Sequence, residues 1–159
     1  MLDADDGGLF AVIGGGAIDW SGHADKSATS IEETLEFNAV VETVVDWVNH
    51  ESSWDETLSI VTADYETGYL PGAGSNPTWT IVSGTKGEMP AVAMNSADHT
   101  NELVPVYAKG PGSAQLLVRV TRTDPARGAY PDNTDLANVL LTDFWANTSG
   151  HGHGHHHGR

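Results

Sequence analysis

Apolar and polar positions follow one another along the chain in blocks that predict strands and helices in mixed order. Residues 9–13 form a short apolar run that ends at three glycines, which is typical of a buried strand. From residue 30 to residue 49, apolar side chains recur at helical spacing, and Ser30 and Glu33 have the spacing of a capping box. We therefore expect a helix there. Residues 57–62, TLSIVT, are rich in β-branched side chains and predict a second strand.

A similar order returns after an irregular stretch. Residues 66–90 contain several glycines and prolines and predict an excursion with short strands. Residues 104–108 predict a third strand, in which Pro105 indicates an edge or an end. A last helix is expected after a cap at Asn133 or Thr134, with an apolar face formed by Leu136, Val139, Leu140 and Phe144. Strand, helix, strand and a later strand–helix pair predict an α/β fold with a largely parallel sheet.

The length of 159 residues suits one domain with a hydrophobic core, which we assign to residues 1–150. Residues 151–159, HGHGHHHGR, are a purification tag or a natural histidine-rich tail, and either would bind metal adventitiously. Cysteine is absent, which excludes disulfides and thiolate metal sites. No apolar run approaches the roughly 20 residues of a membrane-spanning helix. The opening residues lack the basic start and apolar region of a signal peptide.

The charge balance is strongly acidic, with 22 acidic against 7 basic residues and a net charge of −15. Such a surface repels nucleic acid and anionic lipid, so neither is an expected partner. Two interpretations of the charge remain open. The chain is either an ordinary acidic protein or one adapted to high salt, in which screening removes the repulsion between like charges.

Carboxylates and histidines recur at points where strands are predicted to end or begin. Asp19 and His23 lie four residues apart after the first strand, so one helical turn would place both on one face. Asp64 follows the second strand, and ligands gather at the carboxyl ends of parallel strands. His99 lies in a polar loop before the third strand. These are the side chains that a catalytic zinc uses.

Each of these residues also has an ordinary structural interpretation. Asp19 could cap a helical turn, and Asp64 could close a turn at the end of a strand. A single histidine is more often a surface or hydrogen-bonded side chain than a metal ligand. The spacing alone therefore leaves both interpretations open.

Three motifs in order resemble the alkaline phosphatase family. Residues 14–24, GGGAIDWSGHA, resemble its pattern EGxxIDxxxHA, and residues 61–68, VTADYETG, resemble its TADHETG. Asp98-His99-Thr100, followed by a strand that ends in AKG, resembles its later H-T segment. The resemblance covers about residues 8–145. The resemblance implies that the chain is the carboxyl-terminal portion of a domain that folds as a three-layer α/β/α sandwich. The amino-terminal strands of that sandwich would be missing.

The resemblance implies a metal role for each matched residue. Asp19, His23 and His99 would hold one zinc, which binds phosphate and activates water. Asp64 would bind a second zinc, but Tyr65 stands where the family has histidine, and a neutral phenol is a poor substitute for imidazole. Gly14 stands where the family has a magnesium-binding glutamate, so we expect the magnesium site to be lost or rebuilt.

The family's serine nucleophile belongs to a segment before the first motif, and no serine here follows its D-S-A pattern. We therefore assign no catalytic residue to this chain. We expect the chain to be the zinc-binding portion of a phosphomonoesterase and to be inactive alone. Hydrolysis of a phosphate monoester substrate would require the amino-terminal half of the domain or a partner chain. Trp20, beside a ligand, is a candidate for the substrate entrance or a packing residue.

Two other functions remain open. A non-catalytic metal-binding remnant or small subunit is supported by Gly14 and Tyr65, because degenerate ligands are expected where catalysis is no longer selected. A sulfatase or phosphodiesterase of the same fold is the more distant alternative. The resemblance also favours a periplasmic or extracellular protein and is compatible with a homodimer.

Overall fold

A computed structural model describes residues 8–72 and 79–144 of the chain. The chain divides into two compact units, one formed by Met1–Val40 with Thr67–Thr100 and the other by Val41–Glu66 with Asn101–Arg159. Helices and short strands occur together, as expected for an α/β chain. Within the described part, no helix is both long and apolar enough to cross a membrane. The histidine-rich residues 151–159 lie outside the described residues.

The first unit contains a short helix, α1 (Ala17–His23), and the short strand β3 (His99–Thr100). Strand β3 pairs with β2 (Glu66–Thr67), whose second residue, Thr67, also belongs to this unit. The hydroxyl of Ser21 donates to the carbonyl of Ile18 at 2.6 Å inside α1. The helix ends at His23 because the chain turns at Asp25, which has a φ of 53°. Asp19 and His23 therefore lie on consecutive turns of one helix, as the sequence predicts.

The long predicted helix is confirmed, although it begins earlier than expected. Helix α2 (Ser27–Glu51) extends the predicted residues 30–49 at both ends. The capping box at Ser30 is wrong. The amide of Ser30 already donates to the carbonyl of Lys26 at 2.9 Å, and an N-cap residue must lie outside the helix. Ser30 is instead a buried position of the first turns, while Val48 is fully buried near the other end.

The strand predicted at residues 9–13 is wrong. These residues have no regular structure, and the side chains of Phe10 and Val12 are 68% and 81% exposed. A strand requires a hydrogen-bonded neighbour, and no strand of the described chain pairs with this segment. The apolar run at residues 9–13 therefore has the composition of a strand but lacks a partner strand among the described residues.

The second unit contains strand β1 (Ser59–Val61), within the predicted strand 57–62, and β4 (Tyr107–Lys109), near the predicted strand 104–108. The two strands pair antiparallel, with Ile60 opposite Ala108. The hydroxyl of Thr62 donates to the carbonyl of Pro105 at 3.1 Å, just before β4 begins. The expected parallel sheet is not found in this pair, since its strands run in opposite directions.

Three elements in the second unit were not predicted, namely helix α3 (Ser113–Val118) and the two strands of a hairpin, β5 (Arg122–Asp124) and β6 (Gly128–Tyr130). The hairpin is also antiparallel. The carboxylate of Asp124 accepts hydrogen bonds from two backbone amides of the turn, at 2.8 Å each. These bonds favour the charged carboxylate and lower the pKa of Asp124.

The last helix begins as a capping box, one or two residues before the predicted cap. Helix α4 (Asn133–Asn138) is capped by Asp132, whose side chain accepts a hydrogen bond from the amide of Thr134. The amide of Asp132 in turn donates to the carboxylate of Asp135. Hydrogen bonds from Thr134 lower the pKa of Asp132. The helix continues as a π-helical segment, Val139–Phe144, which alters the helical phase assumed for the predicted apolar face.

The acidic charge gives a testable expectation for the stability of this fold. With a net charge of −15, repulsion between like charges opposes the compact state at low salt. The Debye length falls from about 10 Å at 0.1 M to about 3 Å at 1 M salt, so we expect the melting temperature to rise over this range. Thermal unfolding followed by circular dichroism in potassium chloride measures this, with sucrose of equal osmolality as the uncharged control. A flat or falling melting temperature would remove the salt-adaptation interpretation.

Candidate metal centre

Three side chains of the first unit converge at one point. Asp19 and His23 project from α1, and His99 lies in β3. The Nε2 atoms of the two imidazoles are 2.9 Å apart. The Oδ1 atom of Asp19 lies 3.5 Å from Nε2 of His23 and 3.9 Å from Nε2 of His99. The structure thus brings together the three residues that the resemblance assigns to one zinc site.

The three ligand atoms are close enough together to bind one zinc ion. Zinc bonds to nitrogen or carboxylate oxygen are about 2.0–2.1 Å long, so neighbouring ligand atoms of a tetrahedron are about 3.3–3.4 Å apart. The observed separations of 2.9, 3.5 and 3.9 Å lie on both sides of that value. The side chains of His23 and His99 are 36% and 38% exposed, so solvent or a substrate can reach a fourth position. Two imidazoles, a carboxylate and an open side suit a catalytic zinc.

The backbone fixes which nitrogen of His23 is available to a metal. The Nδ1 atom of His23 lies 2.6 Å from the carbonyl oxygen of Ala97, and only a protonated Nδ1 can donate to a carbonyl. In the neutral ring, the lone pair is then on Nε2, the atom that faces Asp19 and His99. A carbonyl that orients the ring in this way is the usual companion of a metal-binding histidine.

The position of His99 depends on Gly68. The carbonyl of Gly68 accepts hydrogen bonds from the amides of Asn95 and Ser96, at 2.8 and 3.0 Å, and its own amide donates to the carbonyl of Asp98 at 3.3 Å. These three bonds hold the loop immediately before His99. Gly68 itself has a φ of 88°, a conformation that side chains other than glycine rarely adopt. The glycine at the end of the VTADYETG motif is therefore needed for the geometry of the site.

Thr67, for which the sequence pattern predicts no role, contacts a candidate ligand directly. Its hydroxyl donates to Oδ1 of Asp19 at 2.6 Å. Gly22 permits this approach, since a Cβ at that position would lie 2.9 Å from Cγ2 of Thr67. Thr67 belongs to the VTADYETG motif, so the signal was present, but the motif alone does not reveal which of its residues reaches α1.

The remaining predicted site residues are Asp64, Tyr65, Trp20 and Gly14. Asp64 and Tyr65 follow β1 in the second unit, where both are exposed, and Asp64 is not a member of the group formed by Asp19 and the two histidines. Trp20 is 73% exposed on α1. Gly14 is exposed, and a Cβ built on it meets no atom within 4 Å, so a larger side chain would fit there.

The chain contains both helices and strands, and these bring a carboxylate and two imidazoles together. It is therefore an α/β chain with a candidate metal centre. The family model for alkaline phosphatase matches residues 1–90 of the 159-residue chain. The chain therefore belongs to the alkaline phosphatase family.

Relatives of this family match different shares of the chain. The membrane-bound alkaline phosphatase of Bombyx mori is 29% identical over 138 residues, which are 87% of this chain and 22% of the relative. The repressible alkaline phosphatase of Saccharomyces cerevisiae is 35% identical over 68 residues, 43% of this chain and 12% of the relative. The chain thus spans less than a quarter of the length of either protein.

Solved alkaline phosphatases from the Antarctic bacterium TAB5 share the fold of much of the chain. One has a TM-score of 0.53 and 27% identity, over 79% of this chain and 32% of the other. A variant of that enzyme, with a TM-score of 0.53 and 25% identity over 79% of this chain and 33% of the other, was solved with Mg bound in its M3 site. Metal binding is thus a property of this structural relative.

Proposed function

We propose that the chain is the zinc-binding portion of a metal-dependent phosphomonoesterase. The observation that carries the proposal is the triangle formed by Asp19, His23 and His99, whose ligand atoms lie 2.9–3.9 Å apart, close enough together to bind one metal ion. Membership of the alkaline phosphatase family supports phosphate monoesters as the substrate class. The three-layer α/β/α sandwich is part of this proposal, and its parallel strands would have to come from segments other than the antiparallel pairs described above.

The residues of the chain have distinct roles in this proposal. A zinc bound here would supply a Lewis acid that polarises phosphate oxygens and lowers the pKa of water. Asp19 contributes a negative charge, and the neutral rings of His23 and His99 contribute lone pairs. Because His23 holds its proton on Nδ1, the Nε2 proton between the two rings belongs to His99. Zinc binding therefore requires His99 to carry its proton on Nδ1 instead.

The covalent step would need a nucleophile from outside this chain. No serine in the sequence follows an aspartate in the D-S-A or D-S-T pattern. We propose that the isolated chain is inactive, and that the amino-terminal half of the domain or a partner chain supplies the serine and a further ligand for a second metal beside Asp64. A periplasmic or extracellular location is part of the same proposal.

A second candidate function is a metal-binding remnant or small subunit without catalysis. It is favoured by two positions, Gly14 and Tyr65, that lack the metal ligands of the family pattern. Both candidates predict zinc at the same three residues. They differ only in what happens when the missing part of the domain is supplied. The relatives described above are all alkaline phosphatases, so no observation favours a sulfatase or phosphodiesterase.

Zinc titration tests the proposal directly. The experiment uses the full chain with its five tail histidines replaced by asparagine, which we call the tail-substituted chain. The replaced residues are His151, His153, His155, His156 and His157. We expect about one zinc per chain by calorimetry, with X-ray absorption showing nitrogen and oxygen ligands at about 2.0–2.1 Å. Aryl phosphate should be hydrolysed no faster than by the same amount of free zinc.

Zinc binding and phosphate hydrolysis test different parts of the proposal. A tail-substituted chain that binds no zinc would refute the metal site. Turnover clearly above that of free zinc would leave the site in place but refute the requirement for a missing nucleophile. Magnesium in place of zinc should bind far more weakly, because it prefers oxygen ligands and two of the three ligands here are nitrogens.

A further inference from the structure

We infer that Thr67 is a positioning residue of the metal centre, whose hydroxyl fixes the orientation of the Asp19 carboxylate. This inference rests on the proposed zinc site and adds to it a residue that is not itself a ligand. The bond from the Thr67 hydroxyl to Oδ1 of Asp19 is 2.6 Å long, which is typical of a hydroxyl that donates to an ionised carboxylate.

The bonded oxygen is the one that matters for the metal. Oδ1 of Asp19 is also the atom that faces Nε2 of His23 and Nε2 of His99. A carboxylate oxygen has two lone pairs, so it can accept one hydrogen bond and still ligate a metal. The terminal torsion of aspartate has a broad energy well, which leaves the carboxylate free to rotate unless a neighbour holds it. Thr67 is the neighbour that holds it.

The backbone around Thr67 couples both sides of the centre. Thr67 bonds to the ligand on α1, while the next residue, Gly68, holds the loop that precedes His99. Thr67 and Gly68 therefore connect the helix that carries Asp19 to the loop that precedes His99. Partners of this kind typically contribute 10–100-fold to the affinity of a metal site.

Replacing the hydroxyl while keeping the shape of the side chain isolates its contribution. In the tail-substituted chain, we expect Thr67→Val to weaken zinc binding by about 10–100-fold in competition with a chromophoric chelator. Thr67→Ser retains the hydroxyl, so its affinity should stay within about threefold of the parent. Thr67→Ala removes the hydroxyl without adding bulk and serves as a second variant if valine prevents folding. The cobalt(II) absorption spectrum should change in Val and Ala but not in Ser, since it reports the ligand geometry.

Thermal unfolding of the zinc-free variants separates positioning from packing. Valine is at least as well suited to a strand as threonine, so the zinc-free melting temperature of Thr67→Val should change little. Equal zinc affinity in Thr67→Val, Thr67→Ala and the parent would overturn the inference. An equal loss in Val, Ala and Ser would also overturn it, because the hydroxyl would not then be the cause. A parent that binds no zinc would instead refute the proposed function, and the inference with it.

Discussion

Replacing His99 with alanine should lower the zinc affinity of the tail-substituted chain by at least about 100-fold, more than the loss of an outer-shell partner typically costs. Nε2 of His99 lies 2.9 Å from Nε2 of His23 and 3.9 Å from Oδ1 of Asp19. Without it, the metal would keep one nitrogen and one oxygen from the protein, too few for a catalytic zinc site. His23→Ala should have the same effect, since it removes the other nitrogen.

His50→Ala is the matched control for these substitutions. His50 lies near the end of α2, where its Nδ1 donates to the carbonyl of Asp46 at 2.7 Å, and it is not a member of the candidate metal group. Chelator competition at about pH 7.5 should therefore give the parent affinity for this variant. At lower pH, protons compete for the imidazoles, so the zinc affinity of His50→Ala should fall more steeply than that of His99→Ala or His23→Ala, which each keep one ligating imidazole. If His99→Ala and His50→Ala bind zinc equally well, the metal is not where we place it.

The local pattern of the sequence predicted helices better than strands. Helix α2 was found because its apolar spacing extends over many residues, and a helix makes its backbone hydrogen bonds within one segment. Residues 9–13 show the opposite case, in which an apolar run met every local requirement of a strand. A strand depends on a neighbour that can be far away in sequence, and the local pattern contains no information about it.

The ends of elements were predicted less accurately for a related reason. Ser30 has the spacing of a capping box, but helix α2 begins one turn earlier, so its amide is already bonded within the helix. At the last helix, the predicted cap was Asn133 or Thr134, but Asp132 is the N-cap and forms a capping box with Asp135. Several polar residues in a row can each cap a helix, and the choice among them depends on where the preceding chain turns.

The candidate site could be predicted to the extent that its residues form motifs. Asp19 and His23 share a helical face by spacing alone, whereas His99 was joined to them only through the family resemblance. Thr67 was missed because its role depends on a contact with α1 across 48 residues of sequence. The prediction that Asp64 lies near Asp19 assumed a parallel sheet, in which strand ends meet at one edge. The strand before Asp64, β1, is instead paired antiparallel with β4. Its place at a second metal remains a prediction.

Tyr65 provides the test that separates an altered enzyme from a metal-binding remnant. The family pattern has a histidine at this position, next to an aspartate that corresponds to Asp64, and the resemblance assigns both to the second metal. Tyrosine lacks a nitrogen ligand and offers only a phenol, which is protonated at neutral pH. Tyr65 is 42% exposed, so an imidazole could replace the phenol without displacing a packed core.

The activity must be measured in a protein that contains the nucleophile. A suitable protein is a chimera in which the amino-terminal part of the Antarctic alkaline phosphatase precedes residues 8–144 of this chain. We expect it to hydrolyse aryl phosphate slowly, and Tyr65→His to raise the rate by at least about tenfold through tighter binding of the second metal. Tyr65→Phe removes the hydroxyl without adding a nitrogen and should give no increase.

The three outcomes of this comparison have different meanings. An increase with Tyr65→His but not with Tyr65→Phe would support a phosphomonoesterase whose second metal is weakened by a single substitution. A chimera that is already fast and becomes slower with Tyr65→His would show that tyrosine is a functional adaptation, and the role carried over from the family at this position would be wrong. A folded chimera that binds zinc at Asp19, His23 and His99 but stays inactive in every variant would favour the remnant. Zinc binding measured beside the rates distinguishes this last result from a failure of the metal site, because the ligands in α1 and β3 do not include residue 65.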